Sequence, residues 1–342
     1  MNEQQTMLAD MASALFADLS HGATITADWG RIEDMGFTGL LLDEESGGFG
    51  GGWADAAILF RLAGYHALSL PLVEAVVAAR LANDAGFAQH GFGTIAEKAE
   101  GQFEQGRFTG DVRGAAWGRN AAFVAAPAPG GGAMLLSVGD AKVEERENPA
   151  GEPRDILHFS DAAAATLTVD LFALGAAARS MQAAGALDAA LALAVGYVND
   201  RKQFGRPLGK LQAVQQALAV FACEAAAANI AATAVAQALD RGDFDYEVAA
   251  AKIRTNIAAG IGTAVAHQAH GAIGFTHEYG LHPLTRRLWS WRSEFGSEQH
   301  WSMILGHHVT TAGADHYWAD MTRKSDATTR SSSGCAGPGE QA

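Results

Sequence analysis

The stretch of this sequence with the most chemical promise is Asp200-Arg201-Lys202-Gln203-Phe204-Gly205-Arg206-Pro207-Leu208. Its plainest reading is structural: Arg201 and Lys202 complement the negative end of a helix, Gly205 ends that helix, and Pro207 prevents its resumption. A second dense stretch follows at His267-Gln268-Ala269-His270-Gly271-Ala272-Ile273-Gly274-Phe275-Thr276-His277-Glu278-Tyr279. His267 and His270 stand at i and i+3 without a third ligand at a recognisable spacing, so a metal site is a poor reading. A helix end with a glycine cap and two core histidines is the simpler one. The glycine-rich run Gly47-Gly48-Phe49-Gly50 is followed by no Lys-Ser/Thr pair and reads as a connector rather than a phosphate loop.

The elements that must position these residues are mostly helical. Before the first stretch, Leu187, Leu191, Val195 and Val198 recur every three or four residues, and after it Val214, Leu218 and Phe221 do the same. The hinge therefore joins two antiparallel buried helices. From about residue 167 the pattern predicts four long helices, near 170–200, 210–239, 246–271 and 297–320, which make an antiparallel bundle. At the other end of the chain, Leu8, Met11, Leu15 and Leu19 share one helix face, a short helix follows around Trp29 to Met35, and two more run from Trp53 to about His66 and Leu72 to about Ala85. Between these blocks the texture changes to short runs at Phe108–Val112, Ala122–Ala126 and Ala133–Val138, punctuated by glycine and proline: a small β module. The expected divisions are 1–88 helical, 89–165 β, 166–324 a four-helix bundle, and 325–342 a disordered Ser/Thr/Gly/Pro-rich tail.

With 342 residues, 49% hydrophobic and 18% charged, the chain can bury a substantial core. A net charge of −14 without a basic run argues against nucleic-acid binding, although a few placed arginines can still hold an anion. Two cysteines, Cys223 and Cys335, specify no disulfide framework and fit a reducing, cytoplasmic setting. Neither a signal peptide nor a membrane span is expected.

The combination Arg201-x-x-Phe204-Gly205-Arg206-Pro207-Leu208 followed by Gln212 and Gln215 resembles the flavin-contacting loop of the acyl-CoA dehydrogenases. Gln268-x-x-Gly271-Ala272-x-Gly274-Phe275-x-x-Glu278 resembles that family's Gln-x-x-Gly-Gly-x-Gly segment, 67 residues after Arg201, with Ala272 in place of the second glycine. The resemblance covers about residues 5 to 320 and is strongest from 185 to 300. It implies a mainly α fold with an N-terminal helical domain, a middle β domain, here shortened, and a C-terminal four-helix bundle. It also implies FAD as cofactor, an acyl-CoA substrate and electron-transfer flavoprotein as acceptor. In the family the two segments of one subunit reach the diphosphate and adenine half of the FAD held mainly by a neighbour. Carried over, Arg201 pairs with a diphosphate oxygen, Gln203 and Phe204 add contacts, and Gln268 with the backbone at Gly271 and Ala272 completes the cradle.

The catalytic base departs from the family pattern. Such enzymes remove an α-proton with a Glu while the β-hydride passes to the flavin. In the matching segment, Ser293-Glu294-Phe295-Gly296-Ser297-Glu298-Gln299, the base position holds Phe295; the alternative base position, 14 residues before Gly271, holds Ile257. The helix arginine used near the acyl-CoA pocket, 25 residues before Arg201, falls on Ala176. Gly93-Thr94-Ile95-Ala96-Glu97 resembles a worn flavin-ring segment, and Ala116-Trp117-Gly118 the turn after another. These departures resemble the short subunit of heterotetrameric α2β2 acyl-CoA dehydrogenases of steroid side-chain degradation, which completes the FAD site of a paralogous catalytic partner. The alternatives are a self-sufficient homotetramer using Glu294, a role for Glu278 as base, a flavin monooxygenase on the same fold, or a helical interaction protein.

Overall fold

A computed structural model describes residues 1–319 apart from His21 and Gln89. Four helices open the chain: α1 (Glu3–Leu19), α2 (Ile25–Asp34), α3 (Trp53–Tyr65) and α4 (Leu72–Asp84). In α1 the Asn2 side chain accepts the Gln5 N–H while the Gln5 side chain accepts the Asn2 N–H, a capping box that fixes the start. The buried stripe is Ala12, Phe16 and Leu19, with Met11 41% exposed, so the face facing the core is rotated from the one expected. Phe16 is the reason, since its ring seats against Phe37 at 5.9 Å between centroids.

Seven strands follow: β1 (Gly93–Ile95), β2 (Lys98–Glu104), β3 (Arg107–Ala116), β4 (Phe123–Pro127), β5 (Ala133–Ser137), β6 (Ala141–Glu144) and β7 (Arg154–Leu167). They form one sheet in the order β1-β4-β5-β7-β3-β2, with β6 also on β7, antiparallel except for β1 against β4. Sequence reading found only parts of β3, β4 and β5. It missed β7 because Ala162–Ala165 shows no period-two alternation and looks helical. Pairing overrides that propensity: β7 is registered by Leu136↔Ala164 on one side and Phe108↔Ala162 on the other. Phe108, Val112, Val124, Leu136, Leu157 and Phe159 fill one face of the module.

The C-terminal half contains α5 (Leu171–Asp200), α6 (Gln212–Arg241), α7 (Asp245–His270), α8 (Leu281–Trp291) and α9 (Glu298–Ala312). A hairpin of β8 (Lys202–Gln203) and β9 (Arg206–Pro207) joins α5 to α6. Two expectations are corrected. The amphipathic helix α8 was not foreseen, and the last helix stops at Gly313, where φ is +83°, instead of running unbroken to 320. The expected tail from 325 and Cys335 lie outside the described residues.

α5 and α6 pack antiparallel, with Asn229 Nδ2 donating to Asp188 Oδ1 at 2.8 Å. α5 and α7 consequently run parallel, as the contacts Ser180–Thr255 and Tyr197–His270 show. The N-terminal helices dock where α3 crosses α5: a Cβ on Gly64 would lie 1.8 Å from the Gln182 carbonyl oxygen, and one on Gly185 1.8 Å from that of Arg61. Only glycine permits backbones this close. By length and composition α5 and α6 could each cross a membrane, but most of the apolar stretch of α5 is buried inside the protein.

Candidate flavin-facing and interior sites

Because α5 and α7 are parallel, their C-terminal ends lie together, and the two sequence motifs meet there. α5 ends at Asp200, and Arg201 donates its N–H to the Tyr197 carbonyl while accepting the Leu208 N–H. The chain then turns through Phe204 (φ +53°) and Gly205 (φ +74°), with Gln203 paired to Arg206. Two consecutive left-handed residues are the geometry of a tight hairpin turn. Gly205 therefore shapes this turn and does not terminate α5, as the sequence suggested. A phenylalanine in left-handed backbone is uncommon, and here its ring is 86% exposed.

The hairpin concentrates free positive charge. Among the described residues, the Lys and Arg side chains that meet neither a carboxylate nor a backbone carbonyl are Lys142, Arg201, Lys202, Arg206 and Lys210. Four of these five lie between 201 and 210, in a chain of net charge −14. At the end of α7, Gln268 is exposed, and Gly271 (φ +63°, ψ −141°) has open space where a Cβ would stand. Ala272 and Glu278 are exposed in the loop beyond. His267 and His270 behave as core residues: His267 Nε2 lies 3.0 Å from Thr285 Oγ1, and His270 Nδ1 lies 2.7 Å from the Ala266 carbonyl oxygen, to which it donates. Burial lowers the pKa of both, so each is neutral at pH 7. Unpaired guanidinium and ammonium groups at the same end of the bundle as an open backbone corner are chemistry that fits a diphosphate.

The interior, where the family would place its base, is arranged differently. Glu294 is buried, and its carboxylate accepts from Arg154 Nε at 2.9 Å, Arg179 Nε at 2.7 Å and Asn148 Nδ2 at 3.0 Å. Arg179 also reaches Glu74 on α4 at 2.5 Å and Gln182 at 2.8 Å. Glu152 joins Arg154 at 3.0 Å, Arg287 of α8 at 2.9 Å and the Trp291 indole N–H at 3.2 Å. Three carboxylates, Glu74, Glu152 and Glu294, are thus matched by three guanidiniums, Arg154, Arg179 and Arg287, tying α4, β7, α5 and α8 together. Burial alone would raise the Glu294 pKa, but Arg154 and Arg179 overcome it and hold the carboxyl well below the usual range. A carboxylate so firmly ionised and so fully hydrogen-bonded is a weak proton acceptor.

The adjacent Phe295 is 3% exposed and sits at φ +52°. Its ring lies over Gly175 of α5, where a Cβ would come within 2.4 Å of the ring, and meets Phe172 at 5.9 Å. Its carbonyl accepts the Trp301 indole N–H at 2.8 Å. The position that the resemblance aligns with the family's base is therefore an aromatic plug in a glycine notch. Glu97 closes the other side: burial and the nearby Glu294 raise its pKa, while the Phe295 N–H it accepts works against them. A cleft of about 590 Å³ remains between Glu97, Phe172 and His300. Ile257 projects from the outer face of α7, 38% exposed, and Ala176 is fully buried beside Arg179. Sequence reading missed the ion network. The one available signal was Arg179 as the lone charge among the apolar residues of Leu171–Leu187.

Residues 165–309 match the family "Acyl-CoA dehydrogenase, C-terminal domain". Among curated proteins, the acryloyl-CoA reductase (NADH) of Anaerotignum propionicum is 36% identical over 106 residues, 31% of this chain and 27% of that protein. The chain thus aligns with little more than a quarter of that relative's length. Among solved structures, the ChsE4-ChsE5 complex from Mycobacterium tuberculosis superposes with a TM-score of 0.82 at 19% identity, covering 92% of this chain and 99% of that one. A variant of the Tcur3481-Tcur3483 steroid ACAD gives 0.80 at 22% identity, covering 89% and 97%. The fold is that of the acyl-CoA dehydrogenases, with a sheet module and a C-terminal helical domain.

Proposed function

We propose that this chain is a subunit of an FAD-dependent acyl-CoA dehydrogenase that completes the FAD site of a paralogous catalytic partner. The observation that carries the reading is the contrast between its two sites. The interior base position is filled by Phe295, with Glu294 committed to Arg154 and Arg179, while the exposed bundle end presents Arg201 and its neighbouring cations with no partner of their own. FAD, when bound, supplies the hydride-accepting chemistry. This chain's part is to hold it: Arg201 pairs with the diphosphate, Gln203 and Phe204 cover its flank, and Gln268 with the backbone of Gly271 and Ala272 closes the other side.

The likeness to the ChsE4-ChsE5 complex and to a steroid ACAD supports a bulky steroid side-chain thioester as substrate and a two-chain assembly. The acceptor is then electron-transfer flavoprotein and the setting cytoplasmic. Co-expression with the paralogous subunit, followed by flavin analysis, tests the reading. One FAD per two chains is expected, with Arg201→Ala releasing flavin from the complex while the isolated subunit keeps its thermal stability. Stoichiometric FAD on this chain alone, bleached by an acyl-CoA, would overturn it in favour of a self-sufficient enzyme.

A further inference from the structure

The two flavin-facing segments are joined by rings. Tyr197, on the last full turn of α5, stacks on His270 with centroids 4.7 Å apart and planes at 26°. Tyr279, at the far end of the loop after α7, meets both rings, Tyr197 at 5.8 Å edge-on and His270 at 4.9 Å. One turn back on α7, His267 stacks on Phe275 of the same loop at 4.3 Å. His270 is 3% exposed, and its Nε2 is buried without a hydrogen-bond partner, so the ring is kept for its shape and contacts.

Each ring stands beside a group that faces the cofactor. Tyr197 lies four residues before Arg201 and accepts the Arg201 N–H through its carbonyl, so fixing the tyrosine fixes the root of the hairpin. His270 is flanked by Gln268 and Gly271 on α7 and the turn that follows. The hairpin itself has little else to hold it, since Lys202, Gln203, Phe204 and Arg206 are all exposed. A binding surface assembled from two chain segments loses affinity if their separation must be fixed anew on each binding event.

Resting on the reading that this end of the bundle receives FAD, we infer that Tyr197, His270 and Tyr279 form a positioning clamp that presets the spacing of Arg201 from the Gln268–Gly271 corner for a dinucleotide diphosphate. None of the three needs to touch the ligand. The clamp requires flat rings rather than their hydroxyl or imidazole hydrogen bonds. Tyr197→Phe and His270→Phe should therefore retain function where Tyr197→Leu and His270→Ala do not.

The test uses the co-expressed complex. The FAD dissociation constant is measured by flavin fluorescence, alongside thermal unfolding of the same complex stripped of flavin. Tyr197→Leu is expected to weaken FAD about tenfold, and Tyr197→Phe to return it to within about twofold of the parent, with similar unfolding temperatures for all three. Equal FAD affinity in Tyr197→Leu and the parent would overturn the clamp, as would a loss that Tyr197→Phe fails to recover. Arg201→Ala, measured in parallel, separates this from the reading beneath it. If that variant also binds FAD normally, the bundle end is not the flavin site. If it alone is impaired, the site stands and the clamp falls.

Discussion

Glu294 shows how far one position's environment can move a side chain from the role its type suggests. It stands next to the family's base position, yet two guanidiniums and an amide saturate it. Its partner Arg179 is 2% exposed, on a helix whose other buried residues at that level are Ala176, Ala177, Ala178, Ser180, Met181 and Gln182. Removing one member of a buried, charge-balanced cluster leaves an uncompensated ion, at a cost of about 3–5 kcal/mol. Glu294→Gln is therefore expected to lower the unfolding free energy of the isolated chain by that order, as read by urea denaturation. A catalytic base would behave differently, with activity lost and stability nearly unchanged. A Glu294→Gln chain as stable as the parent would remove the structural role assigned to this carboxylate.

At the scale of elements, the junction of α7 and α8 rests on a buried lysine. Lys252 Nζ donates to the Trp291 carbonyl at 2.6 Å and to Asn256 Oδ1 at 3.1 Å, while Asn256 Nδ2 donates to the Arg292 carbonyl at 2.9 Å. The last turn of α8, whose carbonyls lack intrahelical donors, is capped from a neighbouring helix. Burial lowers the Lys252 pKa to about 7 even though Glu294 and Glu97 pull it upward. In the unfolded chain the amine titrates near 10.5, so between pH 7 and that value the unfolded state holds more proton, and stability rises with pH. Chemical denaturation at pH 7 and pH 9 is expected to show the parent more stable at pH 9. Lys252→Met should flatten that difference, and an unchanged slope in the variant would mean that another group titrates.

For the whole molecule, the charge and apolar surface left exposed bear on the proposed two-chain assembly. α6 leaves much of its apolar length uncovered, with Ile230 71% and Val220 50% exposed, and Val195 near the end of α5 is 40% exposed. Under the proposed two-chain reading, this helical face, with the unpaired hairpin cations, is the one offered to the partner subunit. Ile230→Glu is expected to abolish co-purification with the partner and to leave a folded, monodisperse chain by light scattering. Intact association at unchanged affinity would place the interface elsewhere. Because α6 contributes Phe221, Ala225 and Ala228 to the inner core from its other face, this substitution spares the packing within the chain.

The sequence by itself determined the local elements whose signals are short-range. The periodic apolar helices, the glycine and proline breaks, two segments 67 residues apart that resemble flavin-family motifs, and Phe295 and Ile257 at the positions the resemblance aligns with a base were legible without coordinates. It did not reveal β7, whose Ala-rich half becomes a strand only through its neighbours, or the register of α1, set by the seat for Phe16. The sequence cannot separate a helix stop at Gly205 from the observed hairpin at Phe204–Gly205, because both use the same glycine and proline. Only the tertiary structure decided that the ends of α5 and α7, which carry Arg201 and Gln268, lie at the same end of the bundle, since this follows from the two helices running parallel. It alone also decided that Glu74, Glu152 and Glu294 find their arginines, because buried charges pair across long sequence separations that no local pattern encodes.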